Sequence, residues 1–557
     1  MMHAQTPPPM PATLPHADES VGGALSRPWA VRGRRVYLLG IGGCGMSGLA
    51  RMLRSLGAEV AGSDMQRSAA TASLIADGMP VGLDPLAGGH DALPEHVDVV
   101  IASAAVKADH PQMLEAVRRG VETMVYAEAL GRCMLGRTGV AIAGTHGKST
   151  TSAMLSAALV DAGLDPTAIV GATSRQIAGG ALAGRGAHST GFRLGGATIA
   201  KGAMAGRPGV LIAEACEFNR SFHNLHPTIG AISAVEADHL DVYGSLDAVV
   251  EAFAGFARLL PAAEDGGKLI IAHEGAHRRD VTGGVRCAVE TIGYSPEADW
   301  VVGFEPTTRR VTLYHERKTV ASWVQRMPGA HNAMNAATAC ALAVSLGADA
   351  EIVGRSLGAF EGLDRRVQLL GERPVPGGVV RVWDDYGHHP TEIDATLRAL
   401  RDFERPEAKG GRLICVFQPH QHSRTRFLLE EFASAFEQAD AVVVPHIYFV
   451  RDSQAEKQKV SAADLVDRLR TRGVRAMHLY PFEAIVEQLE NLCRAGDTLV
   501  VMGAGPVWQV AHAYLGKASG LGPEEASGTG HRAPDRMETS PLVPGARLPV
   551  PDAERAS

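Results

Sequence analysis

The chain has 557 residues, which at roughly 150 residues per domain excludes a single small binding module and predicts three to four domains. Apolar residues make up 45% and charged residues 21%, so the chain can bury sizeable cores and is not disordered throughout. A net charge of −7 offers no general attraction for a nucleic-acid backbone, so no nucleic-acid partner is expected and any polyanion site must be local.

Residues 1–33 are rich in Pro and Ala and read as a flexible tail. They contain no apolar stretch suited to a signal peptide, and no later run reaches the ~18 apolar residues of a membrane span. From 34 to 137, short β-type runs alternate with helical patterns: RRVYLLG, then GMSGLARMLRSLG, AEVAGSD and DVVIASA. The same grammar restarts at GVAIAGTHGKSTTSAMLSAALVDAG, opening a unit from 138 to 360, and again at GRLICVFQPH within a unit from 361 to 515. Three successive α/β units with parallel sheets follow, the first and last Rossmann-like. WVVGFEPTTRRVTLYHERKTVASWVQ alternates like a small antiparallel sheet, and MPGAHNAMNAATACALAVSLG reads as a helix. Residues 516–557 have many breakers and read as a second flexible tail. Seven scattered cysteines without a C-x-x-C pair predict reduced thiols and a cytoplasmic protein.

In the first unit, Gly40, Gly42 and Gly45 have the G-x-G-x-x-G spacing between a strand and a helix, and Asp64 closes the next strand. Such glycines let a diphosphate approach amides at a helix N-terminus, while an acid can hold a ribose hydroxyl. NAD, FAD, another diphosphate and a mere tight turn all remain open at this point.

The second unit carries Gly144, Thr145, His146, Gly147, Lys148, Ser149 and Thr150 after an apolar strand and at the start of a helix. The full Walker pattern is missing because Ile142 stands where its first glycine belongs. The physics is the same: amides around Gly147 cradle phosphates, Lys148 neutralises their oxygens, and the Ser149 hydroxyl can reach Mg²⁺. Glu214 and Glu217 follow one apolar strand, and Asp238, His239 and Asp241 follow another. Acids and an imidazole at strand ends suit a hard divalent cation, although DHLD also reads as a helix cap. In the third unit, DDYGHHPT (384–391) and PHQHSRTR (419–426) sit at strand ends. They fit recognition of a small carboxylated substrate better than a transition-metal site.

Taken in chain order, these segments resemble the Mur ligase family, and within it the members that add L-alanine, from about 34 to 515. GIGGCGMSGLA, AGTHGKSTT, EADHLD, PGAHNAMNA, GLDRRVQ, DDYGHHPTEI, FQPHQHSRTR and a late MGAG carry the likeness. The resemblance implies an ATP-dependent ligase joining L-alanine to the carboxylate of UDP-N-acetylmuramate through an acyl phosphate, in peptidoglycan precursor synthesis. It implies that Gly42, Gly43, Gly45 and Asp64 serve the UDP-sugar and that residues 144–150 bind ATP. It further implies Mg²⁺ on Ser149 and Glu214, with a second ion on His239. His331, Asn332 and Asn335 are expected near the adenine, and Arg365 and Arg366 near the phosphates. Tyr386, His388, His420 and Arg424 are expected to line the amino-acid pocket. Lys148, Glu214, His239, His388 and Arg424 are then the catalytic set.

The chain departs from the family pattern at Cys216, at Gln421 where an arginine is common, and at Pro506 after MGAG. Gln421 cannot supply a charge to an amino-acid carboxylate, so Arg424 is expected to carry more of that role. Two other activities compete: a related muropeptide-recycling ligase, and a nicotinamide-dependent oxidoreductase that leaves GTHGKST and HNAMNA unexplained. A non-catalytic UDP-sugar-binding protein is disfavoured by intact Lys148, Glu214 and His239. Nothing in the sequence fixes an oligomeric state.

Overall fold

Apolar runs shielded on both faces form the centres of three sheets, as parallel strands flanked by helices require. They are seen in a computed structural model that describes residues 28–83, 93–107, 109–186, 188–450 and 452–517, with the side chain of Asp241 left out. The first sheet is fully parallel, in the order Val81–Leu83, Glu59–Asp64, Arg35–Leu39, Val99–Ala102, Glu122–Val125. Chain order reverses beside Arg35–Leu39, which makes the carboxyl end of that strand the place for a ligand.

The central sheet has ten strands. At its middle lie Ile229–Ile232, Thr138–Ala143 and Val210–Glu214, side by side and parallel, every residue of Thr138–Ala143 being buried. The run 300–325, expected as a small antiparallel sheet, is antiparallel and forms an edge of this one. Trp300–Glu305 pairs parallel with Ala288–Gly293 through Ile292 and Gly293, and only then do Arg310–His315 and Lys318–Val324 continue antiparallel. Edge-to-edge continuation satisfies backbone groups that a free sheet would leave exposed.

The third sheet runs Gln368–Val375, Gly378–Asp385, Thr498–Met502, Leu413–Phe417, Ala441–Val444, Ala476–His478, parallel apart from its first hairpin. The fold is therefore α/β in three parts, as expected. No helix among the described residues is long and apolar enough to cross a membrane.

Two alanine-rich helices decide the geometry of the central part. Lys148–Asp161 and Ala330–Ser345 pack against each other, and small residues let their backbones come close. The first part meets the central one through Cys44–Ser55, where a Cβ on Gly48 would lie 3.2 Å from Ile169 Cγ2. A second contact is tighter still: a Cβ on Gly131 would lie 1.8 Å from the carbonyl oxygen of Asn224.

Most of the two expected tails, 1–33 and 516–557, lies outside the described residues. Residues 28–33 depart from that expectation, because Val31 is buried in the core and Arg132 stacks over the Trp29 ring. Gly131 gives the first prediction. Gly131→Ala must displace the turn Phe218–Asn224 that follows Glu217, and overpacking of this kind costs about 1–3 kcal/mol. Urea unfolding should show the midpoint fall; an unchanged midpoint would show that the turn yields freely.

Candidate active site

Three neighbouring parallel strands of the central sheet deliver their following residues to one place. Thr138–Ala143 leads into the glycine loop, Val210–Glu214 ends on Glu214, and Ile229–Ile232 leads to 233–239. The loop turns through Gly144 at φ 130° and Gly147 at φ 81°, conformations that side chains rarely adopt. A Cβ on Gly147 would also lie 2.4 Å from Asn335 Oδ1, so the helix behind leaves no room for one. Gly147 caps the helix Lys148–Asp161 without a side-chain bond, leaving its first amides available to an anion.

Lys148 Nζ donates to the carbonyls of Gly144 at 2.6 Å and Thr145 at 3.1 Å and faces Glu217 at 3.0 Å. Burial alone would lower its pKa, but the Glu217 charge outweighs this and raises it, so the ammonium persists. Ser149 Oγ donates to Glu214 Oε2 at 3.0 Å, and the Gly171 amide donates to Glu214 Oε1 at 2.5 Å. Burial pushes the Glu214 carboxyl up, against the pull of that amide and of Lys148. On the other side of Lys148, through Glu217, ligand atoms of Glu217, Asp238 and His239 lie within 4.8 Å of one another. Hydroxyl and carboxylate oxygens in this number suit Mg²⁺. His239 caps the short helix Leu240–Tyr243 at φ 52°, so DHLD makes a helix start and a cation-type cluster together.

Of the HNAMNA residues, Asn332 and Asn335 are buried beneath the loop. Asn332 Nδ2 donates to Pro328 O at 2.8 Å, and Thr151 Oγ1 donates to Asn335 Oδ1 at 3.4 Å. They buttress the phosphate loop from behind. His331 instead lines a cavity of about 810 Å³ between Phe304 and the helix Pro390–Glu404, with burial pushing its pKa down to about 4. Thr150 is buried in the first turn of the loop helix.

The third part closes over these groups. Tyr386, His388 and His420 form a row with ring centroids 5.4 and 5.6 Å apart, extended by Tyr448 at 5.8 Å. Three of the four expected pocket residues thus come together, and Tyr448 joins them unforeseen. His388 Nδ1 must donate to the Tyr386 carbonyl at 3.1 Å, leaving Nε2 as an acceptor. Burial pushes His388 down to about 4, so it is neutral.

Arg424 is placed differently from its expected role. It is buried, and its Nη2 lies 2.5 Å from Asp238 Oδ1 across the domain boundary. Burial alone would raise the Asp238 carboxyl; the Arg424 charge, with His239 behind it, holds it well below the usual range. Arg365 also turns inward, donating to the carbonyls of Gly503 at 2.7 Å and Gly505 at 3.3 Å. Arg366 stacks on Tyr386 at 4.9 Å, and its charge helps to lower Glu214. Asp385 accepts from Gly387 N and Thr396 Oγ1, a commitment to the turn rather than to a metal.

In the first part, Gly42 and Gly43 line a cavity of about 730 Å³ with Asp64, Ser68, Lys107 and His110. Asp64 accepts from the Gly42 amide at 2.8 Å, so it also fixes the loop. Gly45 faces Tyr126, whose hydroxyl would lie 2.6 Å from a Cβ there. Lys107 is a cation that the fingerprint could not announce.

A phosphate loop, an adjoining cation-type cluster and a second α/β part laid across both define an enzyme that activates one substrate with a nucleoside triphosphate and joins it to another. The chain belongs to the Mur ligase family: the family's catalytic-domain profile matches residues 35–138, its middle domain 142–343 and its glutamate ligase domain 365–505. The UDP-N-acetylmuramate–L-alanine ligase of Kineococcus radiotolerans is 39% identical over 495 residues, covering 86% of this chain and 95% of that protein. The enzyme of that name from Acetivibrio thermocellus is 33% identical over 488 residues, covering 86% and 96%. A crystal structure of the Thermotoga maritima UDP-N-acetylmuramate–alanine ligase has the same fold, with a TM-score of 0.67 at 23% identity over 86% of this chain and 98% of that one. A murein peptide ligase from Psychrobacter arcticus gives 0.63 at 23%, over 87% and 98%.

Arg424→Ala removes the cation that lets Asp238 stay ionised. The bond lost ties the third part, which carries the row Tyr386, His388 and His420, to the central one; at ~1.5–3 kcal/mol for a charge-assisted bond, the weaker closure should raise the KM for the amino acid about 10- to 100-fold. Because Asp238 belongs to the central part, protection of the domain junction against limited proteolysis should fall as well. Unchanged proteolysis with a raised KM would mean that Arg424 acts on substrate alone.

Proposed function

We propose that the chain joins L-alanine to the lactyl carboxylate of UDP-N-acetylmuramate, using ATP, to make a peptidoglycan precursor in the cytoplasm. The observation that carries this reading is the junction at which Arg424 of the third part meets Asp238 of the acidic cluster, with His388 of the pocket row within reach of both charges. Phosphoryl-handling groups and amino-acid-pocket groups come from different parts and face one junction. Segment 34–137 holds the UDP-sugar in the cavity at Gly42, Gly43 and Lys107, 138–360 holds ATP at 144–150, and 361–515 receives the amino acid.

The muramyl carboxylate attacks the γ-phosphorus, forming an acyl phosphate and releasing ADP. The neutral amine of alanine then attacks the carbonyl carbon, forms the amide and expels phosphate. Lys148 and the helix amides after Gly147 stabilise charge on the transferring oxygens. Ser149 and Glu214, and His239 with Glu217 and Asp238, are the residues that would hold Mg²⁺, which supplies further neutralisation of the phosphates. His388 Nε2 accepts a hydrogen bond from the neutral amine and so orients it toward the carbonyl carbon. His331 offers its ring to the nucleotide base. Arg366, stacked on Tyr386 with its charge reaching Glu214, carries the phosphate contact expected of the arginine pair. Closure of the third part keeps water from the acyl phosphate.

Phosphate release from ATP in the presence of UDP-N-acetylmuramate and L-alanine tests the reading, and both must be required. Release with ATP and alanine alone would overturn it. Ligation of a preformed peptide in place of alanine would assign the recycling reaction, and micromolar NAD binding would revive the oxidoreductase. Lys148→Ala should lower kcat by about 10²-fold or more, the scale of losing one preorganised electrostatic partner. A folded variant with near-normal turnover would show that the loop does not hold the reacting phosphates.

A further inference from the structure

One carboxylate serves both sides of the domain junction. Glu392, the third residue of the helix Pro390–Glu404, accepts on Oε2 from the amides of His388 at 2.9 Å and His389 at 3.2 Å. Its Oε1 faces His146 Nδ1 at 3.2 Å, in the phosphate loop and 246 residues away. The other ring nitrogen of His146 faces Glu236 Oε2 at 3.2 Å, and Thr391 Oγ1, next to Glu392, donates to that same oxygen at 2.8 Å. Carboxylates on both sides leave the ring no role but that of a double donor, so His146 is an imidazolium.

The surroundings agree with that charge. Burial alone would lower the His146 pKa, but the bonds to Glu236 and Glu392 raise it to about 9. Burial would raise Glu392, yet its bond to His146, with His388 and Arg366 near, holds it well below the usual range. The other titratable rings facing His146 are His389, 5.0 Å away between centroids, and His331; burial lowers both, and neither competes for the charge.

We propose that Glu392 is a positioning residue that registers the ATP-binding loop, through His146, with the backbone of His388 in the amino-acid pocket. The proposal rests on the ligase reading above. Its chemical sense is alignment. The acyl phosphate forms against residues 144–149, and the amine that must capture it comes from the side of His388. No covalent constraint between these two elements lies closer than the linker at Asp364, whose amide donates to Thr173 O. A few tenths of an ångström of play there would let water compete with the amine.

The test uses Glu392→Gln in the full chain, because glutamine keeps an oxygen for the helix amides while removing the charge that faces His146. Phosphate release and amide formation are measured together. Glu392→Gln should raise the KM for L-alanine about tenfold or more, leave that for ATP unchanged, and release phosphate in excess of ligated alanine. His146→Gln should likewise release phosphate in excess of ligated alanine, and in that excess the double variant should be no worse than the more affected single one. The wild type should lose coupling as pH rises through about 9, because a raised histidine pKa confers its benefit fully below the ordinary value and loses it through the shifted one. Glu392→Gln should already be uncoupled at neutral pH. Full coupling in both single variants, or additive losses in the double, would overturn the proposal. A wild type without alanine-dependent phosphate release would overturn the ligase reading instead.

Discussion

A lysine charge held in a nearly closed site is the constraint on which the rest depends. Lys148 cannot remain an ammonium there alone, and Glu217 answers it at 3.0 Å. That answer brings a second problem, since Glu217 stands with Asp238 and His239 in one cluster, and the Lys148 charge is drawn on by Glu214 as well. The central part therefore assembles more acid than it can balance. The balance comes from the third part: Arg424 meets Asp238, and the charge of Arg366 reaches Glu214. Closure is thus favoured electrostatically at the place where the chemistry requires it, and divalent cations fit the same surplus.

The backbone side of the site follows from small residues. Because Lys148–Asp161 and Ala330–Ser345 are rich in Ala and Ser, their axes approach closely enough for Asn335 to reach Gly147. The asparagines of HNAMNA then fix the loop that fixes the phosphates. An alanine at 147 would have to adopt a left-handed backbone and displace Asn335 at once. The loop is stiff because a helix stands behind it, a support that the loop's own sequence does not contain.

That contrast explains what could be read from the sequence. The strand, glycine loop and helix order of each part is a local pattern, and so the three-part α/β plan and residues 144–150 were legible. Strand ends were legible for the same reason, which is how Glu214, His239, His388 and His420 were singled out. Partnerships across the junction were not. His146 reads as one more loop residue until Glu392 arrives from 246 positions away, and Arg424 reads as a substrate ligand until Asp238 is placed beside it. Likewise Trp300–Val324 alternates like a small antiparallel sheet, and alternation says nothing about which neighbouring edge will accept it.

Gln421 shows how far a local departure can mislead. An uncharged residue where relatives often carry arginine suggests a weakened grip on a carboxylate. In the structure its backbone sits at φ 66°, its amide donates to Tyr448 O at 3.1 Å, and its carbonyl accepts from Thr425 N at 3.1 Å. The residue therefore makes the turn from which the helix His422–Phe427 starts, and that helix carries Arg424 inward to Asp238. The positive charge needed at the junction is supplied three residues later and is already paired. What position 421 must preserve is the left-handed turn, since without it the helix would present Arg424 to a different neighbour.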